Sequence, residues 1–593
     1  MKPHLQDLLA QALTATCAQL GRDLPAATIG IDATKDKAHG DFASNLAMMA
    51  ARGLGLPPRK LAELLIAALP ASPRVLKAEI AGPGFINFFL SADALSALLP
   101  QILAAGTTFG QDHSGSKGQL MVEFVSANPT GPMHVGHGRG AAYGDTLSNL
   151  LAATGWQVHR EYYINDAGRQ VDILGLSVWL RYLELGGETI AFPKRGYPAD
   201  YIKATAAVLL AEKGRIFHRT SAEVFHGVAD EPVPPEGADD KTKDRIKLEQ
   251  EKYADALIAR ARALLGSGYG EIVQAALADQ LATIKKTLLS FSVHFDSWAS
   301  EAALVASGFA PKAVQRLRDK GFTYVKDGAE WLKTSDFGDE KDRVLFKADG
   351  AATYFANDLA YHVDKLDRGH GLLIDVWGAD HHGYIARVRA AIEMLTGRKD
   401  ALHIALMQFV TLSSGRMGKR SGNFVTLQDL LDEAGADATR FFYLYRSHDQ
   451  HLEFDVDLAQ RRSNENPVYY IQYAHARICS VFKQLAEKGG AYDQALGLTS
   501  LARLEAEEEK LLLTLLGRYP ELLQISAANR TPHTLAFFLK DLAEALHGYY
   551  NQHKFLVEGD AALQAARLTL IRATQLVLAG ALQLLGVSVP EKM

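Results

Sequence analysis

Two histidines set three residues apart, His134 and His137, stand where a strand-like segment gives way to a helix-like one. The run 121–125 is short and apolar, the stretch 126–132 is broken by Asn, Pro and Gly, and leucines at helical spacing follow. Imidazoles in the first turn of a helix can donate hydrogen bonds to phosphate oxygens, and the free backbone N–H groups of that turn add positive potential. Gly136 lacks a side chain, so a flat adenine ring could lie against its backbone. The pattern predicts the first half of a nucleotide-binding βαβ unit.

The histidine pair has two other interpretations. A metal site is disfavoured because no carboxylate or thiolate nearby completes a ligand set. Ordinary surface histidines are disfavoured by their position between a strand and a helix N-terminus. The His-x-Gly-His spacing alone is only moderately specific for adenylyl or cytidylyl transfer, so a second site for the leaving pyrophosphate is needed.

A basic, Gly-containing loop far downstream supplies a candidate for that second site. The stretch 414–423 carries Arg416, Lys419 and Arg420 among glycines and serines. Its glycines predict flexibility, and Lys419 could oppose the charge of a leaving pyrophosphate. Without the histidine pair, a solvated basic loop would be the better interpretation.

The histidine pair and the basic loop together resemble the two signatures of class I aminoacyl-tRNA synthetases. Four further stretches resemble the arginyl-tRNA synthetases of bacterial type, namely 162–170, 375–384, 422–427 and 466–470. The resemblance extends from the N-terminal domain to the last residue. It implies ATP-dependent activation of L-arginine to arginyl-adenylate, transfer to the terminal ribose of tRNA(Arg), Mg²⁺ accompanying ATP and no protein-bound metal.

The same resemblance implies a role for particular residues. The catalytic and ATP-binding set would be His134, Gly136, His137, Arg416, Met417 and Lys419. The arginine-binding set would be Asn128, Glu301, Tyr354, Asp358 and His382. The tRNA-binding set would be Asn87, Tyr470, Tyr473 and Met593. The basic loop departs from the class pattern, with Arg416 for its first Lys, Gly418 for its first Ser and Arg420 for its last Ser, although a guanidinium can still pair with phosphate.

The arginine pocket leaves one choice open. A guanidinium substrate needs carboxylates in planar, bidentate reach. Tyr354 and Asp358 are four residues apart, so a helix beginning at Phe355 would direct both toward one site. Asp296 competes with Glu301, because both are expected to flank the same strand end.

Two local predictions concern the residues around this pocket. A β-hairpin is expected around Asp349-Gly350, followed by a helix over 357–365. A metal site at Asp380, His381 and His382 is disfavoured because adjacent side chains point apart, so a pocket role for one of them is expected.

The chain is predicted to be an α/β protein of several domains, since 593 residues exceed one core. A Rossmann-type parallel-sheet catalytic domain follows an N-terminal α+β domain and precedes an all-α bundle. The resemblance places the first domain against the tRNA elbow and the last against the anticodon. The expected bounds are 1–106, 118–412 with an insertion at about 185–268, 413–463 for the loop and helical junction, and 464–593.

Composition indicates a soluble protein, with 48% hydrophobic and 22% charged residues. Cys17 and Cys479 cannot build a disulfide framework, which suits a cytoplasmic location, and Asp7 interrupts any leader-like run. The apolar stretch 568–589 contains Arg572 and is expected to be a core helix, not a membrane span. The net charge of −5 gives no general affinity for nucleic acid, so a tRNA surface must be local.

Two rival functions remain at this stage. A small-molecule nucleotidylyltransferase shares the histidine chemistry but needs neither terminal domain. A non-catalytic tRNA-binding paralogue would have lost part of the site, whereas His134, His137, Lys419 and the acidic residues are all present. The resemblance also implies a monomer, and an enzyme that activates arginine only with tRNA bound.

Overall fold

The computed structural model describes residues 1–34, 37–413 and 425–593. The N-terminal segment is an antiparallel sheet packed against helices, the first of which is Lys2–Leu20. Leu9, Leu46, Leu61 and Phe88 are fully buried in its own core. Its other elements are helices Leu46–Leu54 and Pro58–Ala67, the 3-10 turn Lys37–His39, and strands Asp32–Ala33, Phe42–Ser44, Val75–Ala81 and Phe85–Leu90.

The catalytic sheet is parallel throughout and has five strands within the described residues. Numbered along the chain, its strands lie in the order 5-4-1-2-3, which is the doubly wound arrangement. The predicted Rossmann-type fold is therefore confirmed. In spatial order the strands are Leu402–Met407, Leu372–Gly378, Gln119–Glu123, Gln157–Ile164 and Ser297–Ser300.

Alternate residues of the first strand enter different cores, as expected for a sheet covered on both faces. Leu120 and Val122 join one core, while Met121 joins another. The helices flanking the sheet are Val135–Ala152 (the His helix), Arg169–Leu185, Ser267–Ser290, Tyr354–Asp367 and Ile385–Thr396. The first and fourth strands are neighbours at the switch point, where such folds bind ligands beyond the strand ends.

The predicted insertion lies between the second and third strands. It consists of the helices Asp200–Lys213, Ser221–Phe225 and Asp240–Leu265. These pack with Arg169–Leu185 and Ser267–Ser290 around a separate core that contains Trp179.

A small antiparallel sheet precedes the fourth strand of the catalytic sheet. Its last strand is followed by a turn and a helix, and not by the second strand of the predicted hairpin. Its strands are Thr323–Lys326, Ala329–Leu332 and Arg343–Phe346, after the helices Glu301–Ala306 and Phe309–Asp319 and around the 3-10 turn Thr334–Phe337. The turn at Asp349-Gly350 is present, but the prediction of a second strand after it is wrong. Only a single bridge joins Phe346 to Ala352, because the Thr353 hydroxyl caps a helix that begins at Tyr354.

The C-terminal part is helical, as predicted. It contains Leu427–Ala434, Ala436–Leu444, Val456–Gln460, Pro467–Glu487, Gln494–Thr499, Glu507–Asn529, His533–Gln552 and Ala561–Leu585, with the 3-10 turn Leu501–Arg503 and the paired strands Val410–Leu412 and Leu452–Phe454. Helix Ala561–Leu585 is apolar and long enough to span a membrane, but most of it is buried within the protein, as expected of a core helix. The linking elements Ala92–Ser96, Leu99–Ala105 and Gly106–Thr108 pack against this bundle.

The helical bundle and the catalytic sheet share one continuous core. Asn149 of the His helix donates a 3.1 Å hydrogen bond to the Leu584 carbonyl oxygen at the end of the last helix. The guanidinium of Arg440 bridges the Asp145 carboxylate and the Leu585 carbonyl oxygen. The His helix is therefore joined directly to the C-terminal bundle.

Candidate active site

The loop after the first strand has an unusual backbone. Val125 and Ser126 adopt left-handed conformations with φ of 69° and 40°. Such conformations are unfavourable for residues other than glycine, above all for a β-branched one, and concentrate at functional sites. The Ser126 hydroxyl stabilises the turn by donating to Glu123 Oε1 at 2.8 Å and accepting from the Tyr163 N–H at 3.1 Å.

The two histidines cap the His helix through their own side chains. Nδ1 of His134 accepts from the N–H groups of Gly136 (3.0 Å) and His137 (3.4 Å), and Nδ1 of His137 accepts from the N–H of His134 (3.2 Å). The rings stack with centroids 3.6 Å apart. Since both Nδ1 atoms are acceptors, each neutral ring carries its hydrogen on Nε2.

Burial keeps both rings neutral. It lowers the pKa of His134, and burial together with neighbouring His134 lowers the pKa of His137 to about 3. The pair therefore offers Nε2–H donors without full positive charge. A Cβ at Gly136 would lie 2.9 Å from Cε1 of His134, so glycine is needed there for the cap as well as for close approach of a ligand.

A cleft of about 790 Å³ opens beside these histidines at the carboxyl ends of the strands. Such a volume is typical of a small-molecule site. Its lining joins the His loop to the ends of the second, fourth and fifth strands, and includes Asn128, His134, Gly136, His137, Tyr163, Asn165, Trp377, Asp380, His381 and Gln408. The predicted residues of the His loop are thus brought together in one cavity.

Carboxylates gather next to Tyr163, which lines the cleft, and we call this group of acids behind the lining the acidic end. Burial and the charges of Glu301 and Asp358 raise the pKa of the Tyr163 hydroxyl. Burial, Asp166 and Asp358 raise the pKa of Glu301. Asp166 itself accepts from the Ser300 hydroxyl and the Ala302 N–H, so it is already satisfied. Glu301 and Asp358, whose pKa values are raised, are therefore the carboxyl groups that a bound cation would stabilise most in their ionised form.

Asp296 and Glu301 lie at opposite ends of the strand Ser297–Ser300, so the expectation that they flank one strand end is wrong. The Asp296 carboxylate accepts from the Arg160 N–H at 2.7 Å, near the start of that strand. Glu301 begins the helix that follows the carboxyl end. Only Glu301 lies at the edge of the sheet where the cleft opens.

Asp358 has one carboxylate oxygen without a partner. Its side chain is 28% exposed, yet Oδ2 is buried and no donor within the described residues makes a hydrogen bond to it. Burial raises its pKa, Asp375 adds to that rise, and His362, Lys365 and Tyr384 oppose it. A buried acceptor left open in this way is costly unless a ligand fills it.

The other residues predicted to bind arginine differ in where they lie relative to the cleft. Asn128 lines the cleft and donates to Gln170 Oε1 at 2.8 Å. Tyr354, the first residue of its helix, is 86% exposed. His382 is exposed in the turn Ala379–Tyr384, and its neighbour His381 lines the cleft, so either histidine of this turn is a candidate contact.

The predicted clamp residues Arg416, Met417 and Lys419 lie outside the described residues. The residue that follows that stretch, Val425, lines the cleft and accepts from the Val135 N–H at 3.4 Å. Within the described part of the chain, no group of three or more His, Cys, Asp or Glu side chains could hold a metal ion.

The candidate tRNA residues differ in accessibility. Tyr470 and Tyr473 are partly exposed and share His547 as a ring neighbour, at 4.3 and 5.7 Å between centroids, so they occupy one helical face. Met593 is 45% exposed. Asn87 is 5% exposed on the strand Phe85–Leu90, between the core residues Ile86 and Phe88, and its contact with tRNA stays a prediction.

Sequence reasoning missed several buried charged residues behind the cleft. Arg139, 1% exposed, donates to the carbonyl oxygens of Gln408, Ser447 and Gln450 and so fixes the His helix against one wall of the cleft. His362 and Lys365 are also buried within their helix. The available signal was a charged residue within an otherwise apolar or small-residue pattern, such as Asp375 inside a strand that is buried on both sides.

Comparison with known proteins agrees with this architecture. The family model described as the class I (R) tRNA synthetase catalytic domain matches residues 98–184 and 273–462, and thus skips the insertion. The chain therefore carries the catalytic domain of a class I aminoacyl-tRNA synthetase. An arginyl-tRNA synthetase N-terminal domain model matches residues 3–90, and a DALR anticodon-binding domain model matches residues 471–593.

Full-length relatives give the particular family. An arginine–tRNA ligase of Hydrogenovibrio crunogenus is 50% identical over 95% of each chain, and one of Legionella pneumophila (strain Paris) is 48% identical over the full length of both. The solved arginyl-tRNA synthetase of Thermus thermophilus, 23% identical, shares the fold with a TM-score of 0.72 over 99% of this chain and 100% of that one. The chain belongs to the arginyl-tRNA synthetase family, whose members are ATP-dependent arginine–tRNA ligases.

Proposed function

We propose that this chain joins L-arginine to tRNA(Arg) in two steps at the cleft beside His134 and His137. The carboxylate of arginine attacks the α-phosphorus of ATP, giving arginyl-adenylate and pyrophosphate. A terminal ribose hydroxyl of the tRNA then attacks the adenylate carbonyl carbon and releases AMP. Positioning and charge neutralisation matter more in such phosphoryl chemistry than a dedicated acid–base pair.

The ATP side of the cleft would be built on the His loop. The Nε2–H groups of His134 and His137 would donate to phosphate oxygens, while Gly136 leaves room for the adenine. Neutral donors of fixed tautomer suit this task, because they need no proton transfer as charge develops. Lys419, Arg416 and Met417 are proposed to complete the phosphate side, and Mg²⁺ would enter with ATP as part of the substrate.

The arginine side would be the acidic end. The observation that carries the proposal is the unpartnered Oδ2 of Asp358, close to Glu301 and to Tyr163. A guanidinium is planar, permanently charged and presents several N–H donors, so it fits the open Oδ2 of Asp358 together with the carboxylate of Glu301. Asn128 would bind the amino acid end of the substrate, and Tyr354 and His382 stay proposed contacts.

The flanking domains would bind tRNA, the N-terminal one at the elbow and the C-terminal one at the anticodon. Tyr470 and Tyr473 offer aromatic faces, and Arg477 lies 4.8 Å from the ring centre of Tyr473, a combination suited to unpaired bases. We also propose that the chain acts in the cytoplasm as a monomer, which light scattering of the purified protein would test.

Pyrophosphate exchange and tRNA charging test the proposal directly. Purified protein should charge tRNA(Arg) with arginine and exchange labelled pyrophosphate into ATP in the presence of arginine and that tRNA. A small-molecule nucleotidylyltransferase would exchange without any tRNA or amino acid. A non-catalytic paralogue would bind tRNA without exchange, and preference for another amino acid would refute the substrate assignment.

A further inference from the structure

Four charged side chains lie buried directly behind the acidic end, and we call them the buried charge set: Glu123, His362, Lys365 and Asp375. Nζ of Lys365, 0% exposed, lies 2.5 Å from Glu123 Oε2 and 2.9 Å from Asp375 Oδ1. Nε2 of His362 lies 2.8 Å from Asp375 Oδ2. The carboxylates come from the two strands at the switch point, and the cations from the helix Tyr354–Asp367 that packs on them.

The hydrogen bonds of His362 require both ring nitrogens to carry hydrogen. Nδ1 lies 2.8 Å from the backbone carbonyl oxygen of Asp358, which can only accept. Nε2 faces Asp375, whose other oxygen accepts from Lys365. Although burial acts to raise the pKa of Asp375, Lys365 and His362 hold it well below its usual range, so this carboxylate is ionised. Burial would lower the pKa of His362, but the charges of Asp358 and Asp375 outweigh it and raise the pKa. The side chain is an imidazolium.

Charge within the buried set is balanced. Burial and Asp375 raise the pKa of Glu123 against the opposing effect of Lys365, but both of its oxygens accept hydrogen bonds, so we take it as ionised. His362 and Lys365 then neutralise Glu123 and Asp375, since buried charges persist only when paired. Asp358 is left over as a further carboxylate, with its Oδ1 3.5 Å from Nδ1 of His362.

We propose that His362 is a positioning residue for the guanidinium of arginine, holding the Asp358 carboxylate ionised and oriented at the acidic end. This inference rests on the proposed function of the cleft. Asp375 fixes the imidazolium from behind, as an outer carboxylate fixes a ligand histidine at a metal site. Oδ1 of Asp358 faces the ring, which leaves Oδ2 for the substrate.

Loss of the imidazolium would change when Asp358 can bind a cation. Its pKa is raised by burial and by Asp375, and lowered first by His362 and then by Lys365 and Tyr384. Removing His362 removes the largest opposing charge, so the carboxyl would take up a proton at a higher pH. The titratable and charged groups that interact with it are Tyr163, Glu301, His362, Lys365, Asp375 and Tyr384. Glu123 and Asp166 lie beside members of this group.

The test is His362→Gln in the full-length protein. The dissociation constant for arginine is measured by calorimetry from about pH 5.5 to about pH 8.5, and KM for arginine and ATP is measured in tRNA charging. We expect arginine binding to weaken about tenfold or more near neutral pH, with KM for ATP changed less than about twofold. Arginine affinity should also begin to fall at a higher pH than in the unmodified protein. Unchanged arginine affinity across this range, or an equal rise in both KM values, overturns the proposal.

Two further variants separate positioning from folding. His362→Gln alone leaves an excess negative charge buried, whereas His362→Gln combined with Asp375→Asn restores neutrality and should recover thermal stability. Loss of Asp375 should reverse part of the pH shift, because Asp375 raises the pKa of Asp358. Arginine binding should still stay weaker than in the unmodified protein, because the ring no longer orients Asp358, and full recovery of affinity would overturn the proposal. His475→Gln, another buried histidine bonded to the Pro590 carbonyl oxygen, should leave arginine affinity unchanged. If the unmodified protein fails to charge tRNA(Arg), the proposed function fails instead.

Discussion

Asp358→Asn should weaken arginine binding and leave ATP binding nearly unchanged. It should also raise the thermal stability of the free protein. The substitution keeps the shape of the side chain but removes its charge and replaces one carboxylate oxygen by an NH2 group, which cannot accept a hydrogen bond from a guanidinium. A hydrogen bond to a charged partner contributes about 1.5–3 kcal/mol, and one decade of affinity corresponds to about 1.4 kcal/mol. KM for arginine should therefore rise about 10- to 150-fold, while KM for ATP changes little.

The free protein should become more stable at the same time. The folded-state pKa of Asp358 is raised, first by burial, so its ionised form destabilises the folded state at neutral pH. This destabilisation is lost as the pH falls through the raised pKa, because protonation then removes the charge. Asn lacks the charge throughout, so the variant should melt at a higher temperature than the unmodified protein near pH 7, and the difference should shrink in acid.

Arginine should invert that order. A ligand at 100 times its dissociation constant stabilises a folded protein by about 2.7 kcal/mol, and the same concentration stabilises a variant that binds about 30-fold more weakly by only about 0.9 kcal/mol. In thermal melts, the variant should therefore have the higher melting temperature without arginine, and the unmodified protein should have the higher one with arginine. Asp296→Asn is the matched control, because that carboxylate lies at the opposite end of its strand. A similar KM effect in Asp296→Asn, or an unchanged arginine KM in Asp358→Asn, would refute the reasoning.

Four further predictions concern the rest of the enzyme. Lys419→Ala should slow pyrophosphate exchange far more than it raises KM for arginine, since its charge is opposed mainly in the transition state; equal effects would contradict the role. His137, with its pKa lowered to about 3, should show no protonation step between about pH 5 and about pH 8 in NMR of labelled histidines. Exchange should be negligible without tRNA and robust with it, and Asn149→Ala, which cuts the bond to the Leu584 carbonyl oxygen, should weaken that stimulation; strong exchange without tRNA would show that the site is preorganised. Tyr473→Ala should weaken tRNA binding by about 1–3 kcal/mol without changing KM for arginine, and Tyr473→Phe should not.

The sequence determined those features that depend on neighbours along the chain. The His134–His137 spacing, the broken loop before it and the leucines after it identify a strand, a loop and a helix, because each element has its own short period. Helical periodicity likewise predicted the C-terminal bundle and the burial of its apolar last helix. Resemblance over the whole chain gave the family, which the matching relatives confirm.

Tertiary structure decided what depends on distant segments. Asp296 and Glu301 are five positions apart in sequence, and only the direction of their strand puts Glu301 at the edge of the sheet where the cleft opens. A helix begins at Tyr354 where a strand was predicted, because the Thr353 hydroxyl accepts from the Ala356 N–H and caps the helix. Local propensity did not indicate this cap. The low exposure of Asn87, at 5%, likewise depends on how its sheet packs and was not evident from the sequence.

The surroundings of Asp358 likewise could not be predicted from the sequence. Glu123, His362 and Asp375 belong to different elements, and they meet only when two parallel strands and a crossing helix pack together. Packing of this kind sets which carboxylate is paired, which is left open and which protons are held. The sequence alone could therefore supply the residue types of the site, whereas the charge that a substrate must complete was fixed by the fold.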